Sequence, residues 1–212
     1  MSQINNFSTG ILEFYKLAEV LKRTLRHSWL SDGVRQESVA EHSWMMALLA
    51  LAVLPHISQK LNQEKVLMMI IVHDLAEAVT QDMPVWDGVL DKQAKFDREK
   101  DAMKKIVALL DLQTQNKLLE IWEEYEERTT AEAKFVKVID TLDVIVQHNV
   151  APTETWDDND YLWQLSPLQN KFFDFDETLQ KIKVELDTWS IEKATMAGGL
   201  EKLDQEELQK RK

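Results

Sequence analysis

The 212-residue chain contains no cysteine. Disulfides and thiolate metal sites are therefore excluded, and a reducing compartment is compatible. Glycine and proline are scarce, at 5 and 4 residues, and no Pro/Gly/Ser-rich stretch divides the chain. One domain over residues 1–190 is expected, followed by a charged helix or tail over 191–212. No apolar run reaches the roughly 18 residues of a spanning helix, and the N-terminus lacks a signal-peptide pattern. The expected location is the cytoplasm. Positive charge is short as well: 25 Lys and Arg face 37 Asp and Glu, for a formal net charge of -12. Broad attachment to nucleic acid or anionic membrane needs the opposite surplus, so neither is an expected partner. An anionic substrate would need a local basic pocket.

What is present is helical periodicity. Hydrophobic residues make up 44% of the chain, and the longer patterns repeat at helical rather than strand spacing, which predicts an all-α protein. Ile11, Tyr15, Ala18, Leu21 and Leu25 predict a first amphipathic helix over 8–25. It leads into a basic segment with Lys22, Arg23, Arg26, His27 and Trp29, then a loop through Gly33 and Arg35. Ser38-Val39-Ala40-Glu41 has the form of a capping box and opens a helix that Pro55 stops. Asn62 caps the next helix, expected to run to about Thr80 ahead of Pro84. Charged amphipathic helices follow over 91–110 and 118–127. Thr129-Thr130-Ala131-Glu132 reads as a second capping box, opening the helix that contains Asp140. Beyond Val150 come Pro152, Trp156 and the acidic cluster Asp157, Asp158 and Asp160, as in a loop over the core, a lid or a dimer contact. A Lys/Glu-rich helix starts near Asp176, and the last dozen residues have almost no core-facing positions.

The stretch from Val66 to Pro84 places ionisable groups on a seam that should be apolar. Val66, Ile70, His73, Asp74 and Glu77 share one helical stripe. Such groups are costly there unless paired or metal-bound. His42, in the first turn of its helix, has no local structural explanation, and Asp140 interrupts a helix that is apolar over much of its circumference. Together His42, His73, Asp74 and Asp140 supply two nitrogens and two anionic oxygens from three helices. That mixed ligation suits Mn, Co, Mg, Fe, Ni or Zn, and on a six-coordinate ion it leaves positions for water and substrate.

The order H, then HD, then D on helices, within ESVAEHS, HDLAEAVTQDMP and AEAKFVKVIDTLD, resembles the HD-domain metal-dependent phosphohydrolases. The similarity is to the 5'-deoxynucleotidase branch and the HD-domain-containing-protein-2 type, and it runs from about Leu21 to Asn149. The resemblance implies a single helical HD-domain bundle with a metal site between helices. It implies hydrolysis of the 5'-phosphate from (deoxy)ribonucleoside 5'-monophosphates, one divalent metal ion, and a homodimer. By motif, His42, His73, Asp74 and Asp140 are the implied metal ligands. Glu77 is the implied proton-handling glutamate, Asp82 the aspartate near sugar and water, and Arg26 and Trp29 the substrate-binding pair. In that family the arginine can stand directly before the tryptophan, whereas here Ser28 takes that place, leaving Arg23 and Arg35 as alternatives for phosphate. Of the other histidines, His148 is either a helix-end residue or a substrate contact. The rival readings are an HD phosphohydrolase acting on nucleoside di- or triphosphates or guanosine alarmones, and a non-catalytic metal- or nucleotide-binding HD module.

Overall fold

The computed structural model describes residues 7–82 and 92–210. The expected stop at Pro84 and helix start at Asp91 lie outside them. The fold is helical apart from one small hairpin. Helix α1 (Phe7–Ala18) passes through a 3-10 turn into strand β1 (Leu25–Trp29), which pairs antiparallel with β2 (Gln36–Ser38). Then come α2 (Val39–Val53), α3 (Gln63–Val72), α4 (Glu77–Thr80), α5 (Lys92–Val107), α6 (Leu112–Glu127) and α7 (Ala131–Val150). The C-terminal third contains α8 (Asp158–Gln164), α9 (Pro167–Phe173), α10 (Glu177–Met196) and α11 (Gln205–Lys210).

Helix α7 is the axis of the molecule, contacting α2, α3, α6, α9, α10 and β1. Its Phe135, Ile139 and Ile145 meet Met46, Ile70, Phe173 and Leu179 in the main core. Removing one such fully buried side chain, as in Ile139→Ala, would cost about 2–5 kcal/mol. A second cluster joins Leu21 and Val39 to Met103, Ile106 and Trp122.

Several local expectations need correction. The first helix ends at Ala18, and Leu25 belongs to a strand. Ile11, Tyr15 and Leu25 are exposed, whereas Phe14, Leu17, Val20 and Leu21 pack inward. The basic segment is half of a hairpin. Its loop requires Gly33, which has φ +66° and whose absent Cβ would come within 2.9 Å of Pro152 Cγ. The Ser38 capping box is complete. At α7 the cap is Thr130, whose Oγ1 accepts from Ala133 N–H, while Glu132 accepts from the distant Asn62 N–H. The acidic cluster after Val150 is the start of a helix: Asp157 and Asp160 form a capping box on α8. The chain end is less solvated than its charge suggests, since Leu203 and Leu208 are buried with Trp156, Tyr161 and Leu165.

The most consequential difference is at the centre. The helix expected to continue to Thr80 stops at Val72, and residues 73–76 form a tight turn before α4. Leu75, Glu77 and Ala78 N–H donate three residues back, to Val72, Asp74 and Leu75. This 3-10 pattern narrows the helix and swings Asp74 and Glu77 to one mouth.

Candidate metal centre and its cavity

Four segments bring the ionisable residues together. The start of α2 carries His42, the residue after α3 is His73, the turn carries Asp74, and the middle of α7 carries Asp140. His42, His73 and Asp140 each offer a donor atom within 4.8 Å of the others. His42 Nε2 lies 3.3 Å from Asp140 Oδ1 and 3.9 Å from Asp74 Oδ2, and His73 Nε2 lies 3.0 Å from Asp74 Oδ2.

The opposite edges of both rings are occupied. His42 Nδ1 pairs with Asp143 Oδ2 at 2.7 Å, and His73 Nδ1 with the Ile70 carbonyl oxygen at 2.8 Å. A carbonyl only accepts, so His73 Nδ1 carries the hydrogen and its Nε2 presents a lone pair in the neutral form. Both Nε2 atoms are buried and form no hydrogen bond among the described residues. Orphaned buried nitrogens converging on carboxylate oxygens suit a cation with the nitrogen and oxygen preference of a divalent metal.

Neighbouring cations and donors hold the carboxylates. Asp140 Oδ2 accepts from Lys137 Nζ at 2.7 Å and from the Tyr125 hydroxyl at 3.2 Å. Burial opposes ionisation of Asp140, but Lys137, His42 and His73 outweigh it and hold the carboxyl well below its usual range. Asp74 is likewise held low: burial works against the anion, and His73, Arg26 and His42 prevail. Arg26 reaches Asp74 Oδ2 from β1 at 3.1 Å, and its Nε lies 3.7 Å from the buried Glu37. Burial, and then the charges of Asp74 and Asp82, push the Glu77 carboxyl up to about 10. Its Oε2 has no hydrogen-bond partner among the described residues. A dication beside Asp74 would offset the negative charge behind part of that rise.

Arg26, His73, Asp74, Glu77, Asp82 and Asp140 line one cavity, while His42 lies fully buried behind it and is not in its lining. Lys95, Arg128 and Lys137 join Arg26 in the wall beside a larger number of carboxylates, and Lys95 and Lys137 are paired with Glu99 and Asp140, so a cation in the cavity would help an anion to enter. Trp29 is not among the lining residues. Among the described residues the indole in the lining is Trp163 of α8, and the Trp29 carbonyl accepts from Gln147 Nε2. Arg23 and Arg35 are also absent from the lining, and Arg35 pairs with Glu41 at the surface.

Asp143, Tyr125, Lys137 and Glu37 were not singled out from the sequence. Asp143 and Lys137 carry a readable signal, since each lies one helical turn from Asp140 on α7. Tyr125 and Glu37 depend on contacts between separate elements.

The HD domain family model matches residues 18–183. The chain is 38% identical over 139 residues to the human (Homo sapiens) 5'-deoxynucleotidase HDDC2, covering 65% of this chain and 66% of that protein. It is 41% identical over 139 residues to the Danio rerio protein of the same description, covering 65% and 68%. A crystal structure described as a predicted metal-dependent phosphohydrolase from Magnetospirillum magnetotacticum MS-1 shares the fold. It has a TM-score of 0.77 and 24% identity, and the match covers 92% of this chain and 98% of that one.

Proposed function

This chain belongs to the HD-domain family, and on that premise we propose that it is a metal-dependent phosphomonoester hydrolase acting on (deoxy)ribonucleoside 5'-monophosphates. The observation that carries the reading is the pair of orphaned Nε2 atoms of His42 and His73, facing Asp74 and Asp140 on a cavity with Arg26 and Lys95 in its wall. The curated relatives described as 5'-deoxynucleotidases support the substrate class.

In this reading His42, His73, Asp74 and Asp140 hold one divalent ion, which when bound supplies Lewis acidity and makes water a better nucleophile at neutral pH. Arg26 has five N–H donors, and Asp74 takes one of them. The remaining donors on the cavity side orient the phosphate oxygens and neutralise charge as the phosphorus is attacked in line. Glu77 has an oxygen without a hydrogen-bond partner on the same cavity and takes the proton of the attacking water. Asp82 lies just beyond α4 at the mouth and contacts the sugar and the entering water. Trp163 Nε1, also without a hydrogen-bond partner among the described residues, offers a donor and an aromatic face to the nucleoside.

We extend the proposal to a cytoplasmic homodimer that binds neither nucleic acid nor membrane. No described helix is long and apolar enough to cross a membrane, and the net charge of -12 disfavours polyanionic partners. Exposed Trp44, Leu48 and Leu51 along α2 support an apolar self-contact.

A phosphate-release screen of ribo- and deoxyribonucleoside monophosphates against several divalent metals tests the function. Metal-dependent release of inorganic phosphate from monophosphates is expected. Pyrophosphate or tripolyphosphate as the released product, or no release with any metal, would overturn it.

A further inference from the structure

Outside the group just described, a second set of nitrogen and oxygen donors meets where α8 packs against β1 and α7. His148 Nε2 is 2.9 Å from Asp160 Oδ1, and His27 Nε2 is 3.1 Å from that same oxygen. His27 Nε2 is also hydrogen-bonded to Asp160 Oδ2 at 3.2 Å, and it lies 3.8 Å from Asp157 Oδ2. One donor atom from each of His27, His148 and Asp160 lies within 4.8 Å of the others. His148 and Asp160 are 4% and 1% exposed, so bulk water does not screen them.

The hydrogen positions leave the His148 Nε2 and Asp160 Oδ1 pair hard to satisfy with protein atoms alone. His148 Nδ1 lies 2.7 Å from the Val144 carbonyl oxygen, which only accepts, so the ring hydrogen sits on Nδ1. Nε2 of the neutral ring then presents a lone pair towards a carboxylate oxygen. Both His148 Nε2 and Asp160 Oδ1 are buried and form no hydrogen bond among the described residues. A proton added at Nε2 would therefore not be aimed at Oδ1. A cation lying where the lone pairs cross meets both atoms. Nitrogen and oxygen ligands about 2.1 Å from a six-coordinate ion, at right angles to each other, are about 3.0 Å apart, and the observed 2.9 and 3.1 Å match that spacing.

We propose that His27, His148 and Asp160 form a second cation site, for a divalent transition metal, separate from the group at His73 and Asp74. Two imidazoles and one carboxylate are borderline donors that suit Zn, Co, Ni or Mn. The site joins three elements. His27 is on β1, His148 is near the end of α7, and Asp160 is in the first turn of α8, where its Oδ2 also accepts the Asp157 N–H. Trp163 follows on α8 and lines the cavity along with His27 and His148. A metal here fixes the wall of the cavity against its floor. The site stands independently of the hydrolase reading.

The test uses the full chain, stripped with chelator and titrated with cobalt(II) or zinc alone. Metal is counted by elemental analysis, and cobalt ligation is read from visible absorption. Wild type is expected to bind two equivalents, and His27→Gln, His148→Gln and Asp160→Asn one each. Asp74→Asn is expected to retain one equivalent, which the further change His27→Gln removes. His27 is partly exposed, at 26% of its side chain, so that variant serves if the buried substitutions lose the helical circular dichroism of the wild type. Binding of one equivalent by wild type, or of two by both His27→Gln and His148→Gln, would overturn the site and leave an ion pair in its place. Failure of phosphate release would leave the stoichiometry result standing, so the two readings fail separately.

Discussion

His42 Nδ1 donates to Asp143 Oδ2 at 2.7 Å, with both side chains buried. The bond fixes the imidazole so that Nε2 points at Asp140. Burial and Arg26 oppose a charge on this ring, yet Asp140 and Asp143 push its pKa up to about 9. Asp143→Asn keeps the shape but removes the anion that orients and polarises the ring. Metal affinity is expected to fall roughly 10- to 100-fold, read by calorimetric titration, with helical circular dichroism unchanged. Affinity equal to wild type would show that Asp143 does not position His42.

Substituting alanine at His73 or at Asp74 removes a donor of the proposed centre while leaving the cores around Ile139 and Trp122 in place. Metal-dependent phosphate release is expected to disappear in both variants with the helical fold retained. Unchanged turnover in both would remove this group from the chemistry.

Glu77→Gln keeps volume and burial but cannot take a proton. A fall in kcat of about 100- to 10,000-fold is expected, with metal stoichiometry unaltered. A variant that loses metal but turns over normally when metal is in excess would assign Glu77 to support of the centre instead.

Arg26→Ala leaves Asp74 and Glu37 without their guanidinium. The loss of charge-assisted contacts to phosphate, at about 1.5–3 kcal/mol, predicts a drop in kcat/KM on the order of 10- to 100-fold. Inhibition by inorganic phosphate should weaken in parallel, and full sensitivity to phosphate would count against this arginine as the anion contact.

Far from the cavity, Asp176 caps α10 through Thr178 N–H and accepts from the Ser58 hydroxyl and N–H. These bonds, the Ser58 hydroxyl foremost, hold its carboxyl below the usual range. A depressed folded-state pKa gives stability that is present above the unfolded value of about 3.9 and is lost as pH falls through the folded value. Asp176→Ala should therefore cost roughly 0.5–2 kcal/mol at neutral pH, and the gap from wild type should close in acid. Urea denaturation at pH 7 and near pH 3 checks this, and a gap that widens in acid would refute it.

The main helices were legible because their signals are local. Ser38 with Glu41, Asn62 and Asp176 each mark a helix start within one turn of sequence. His42, His73, Asp74 and Asp140 stood out because a charge on an apolar face is visible wherever the period is clear. The hairpin was not legible, since the LRHSW of β1 and QES of β2 are too short for a period of two to emerge. The tight turn at 73–76 was hidden for a different reason: Leu75, Ala76 and Ala78 are good helix formers, and the break comes from tertiary contacts such as Trp122 Nε1–H donating to the His73 carbonyl. Pairing of His27 and His148 with Asp160 spans over a hundred residues in one case, a separation that no window of sequence reports.

Helix α7 bears Asp140 near its middle and His148 near its end, without a break between them. Eight residues at about 1.5 Å each place the two positions on the order of 12 Å apart along the axis. The helix thus acts as a ruler with one residue of each proposed metal site at its marks. If both proposed sites were filled, the two ions would be too far apart to clamp a single phosphoryl group, which in paired-metal enzymes needs about 3.5–4 Å. They would be close enough for magnetic dipolar coupling between two paramagnetic ions, so the spacing itself becomes a quantity to measure. A bend in α7 would change that interval before it changed either coordination shell.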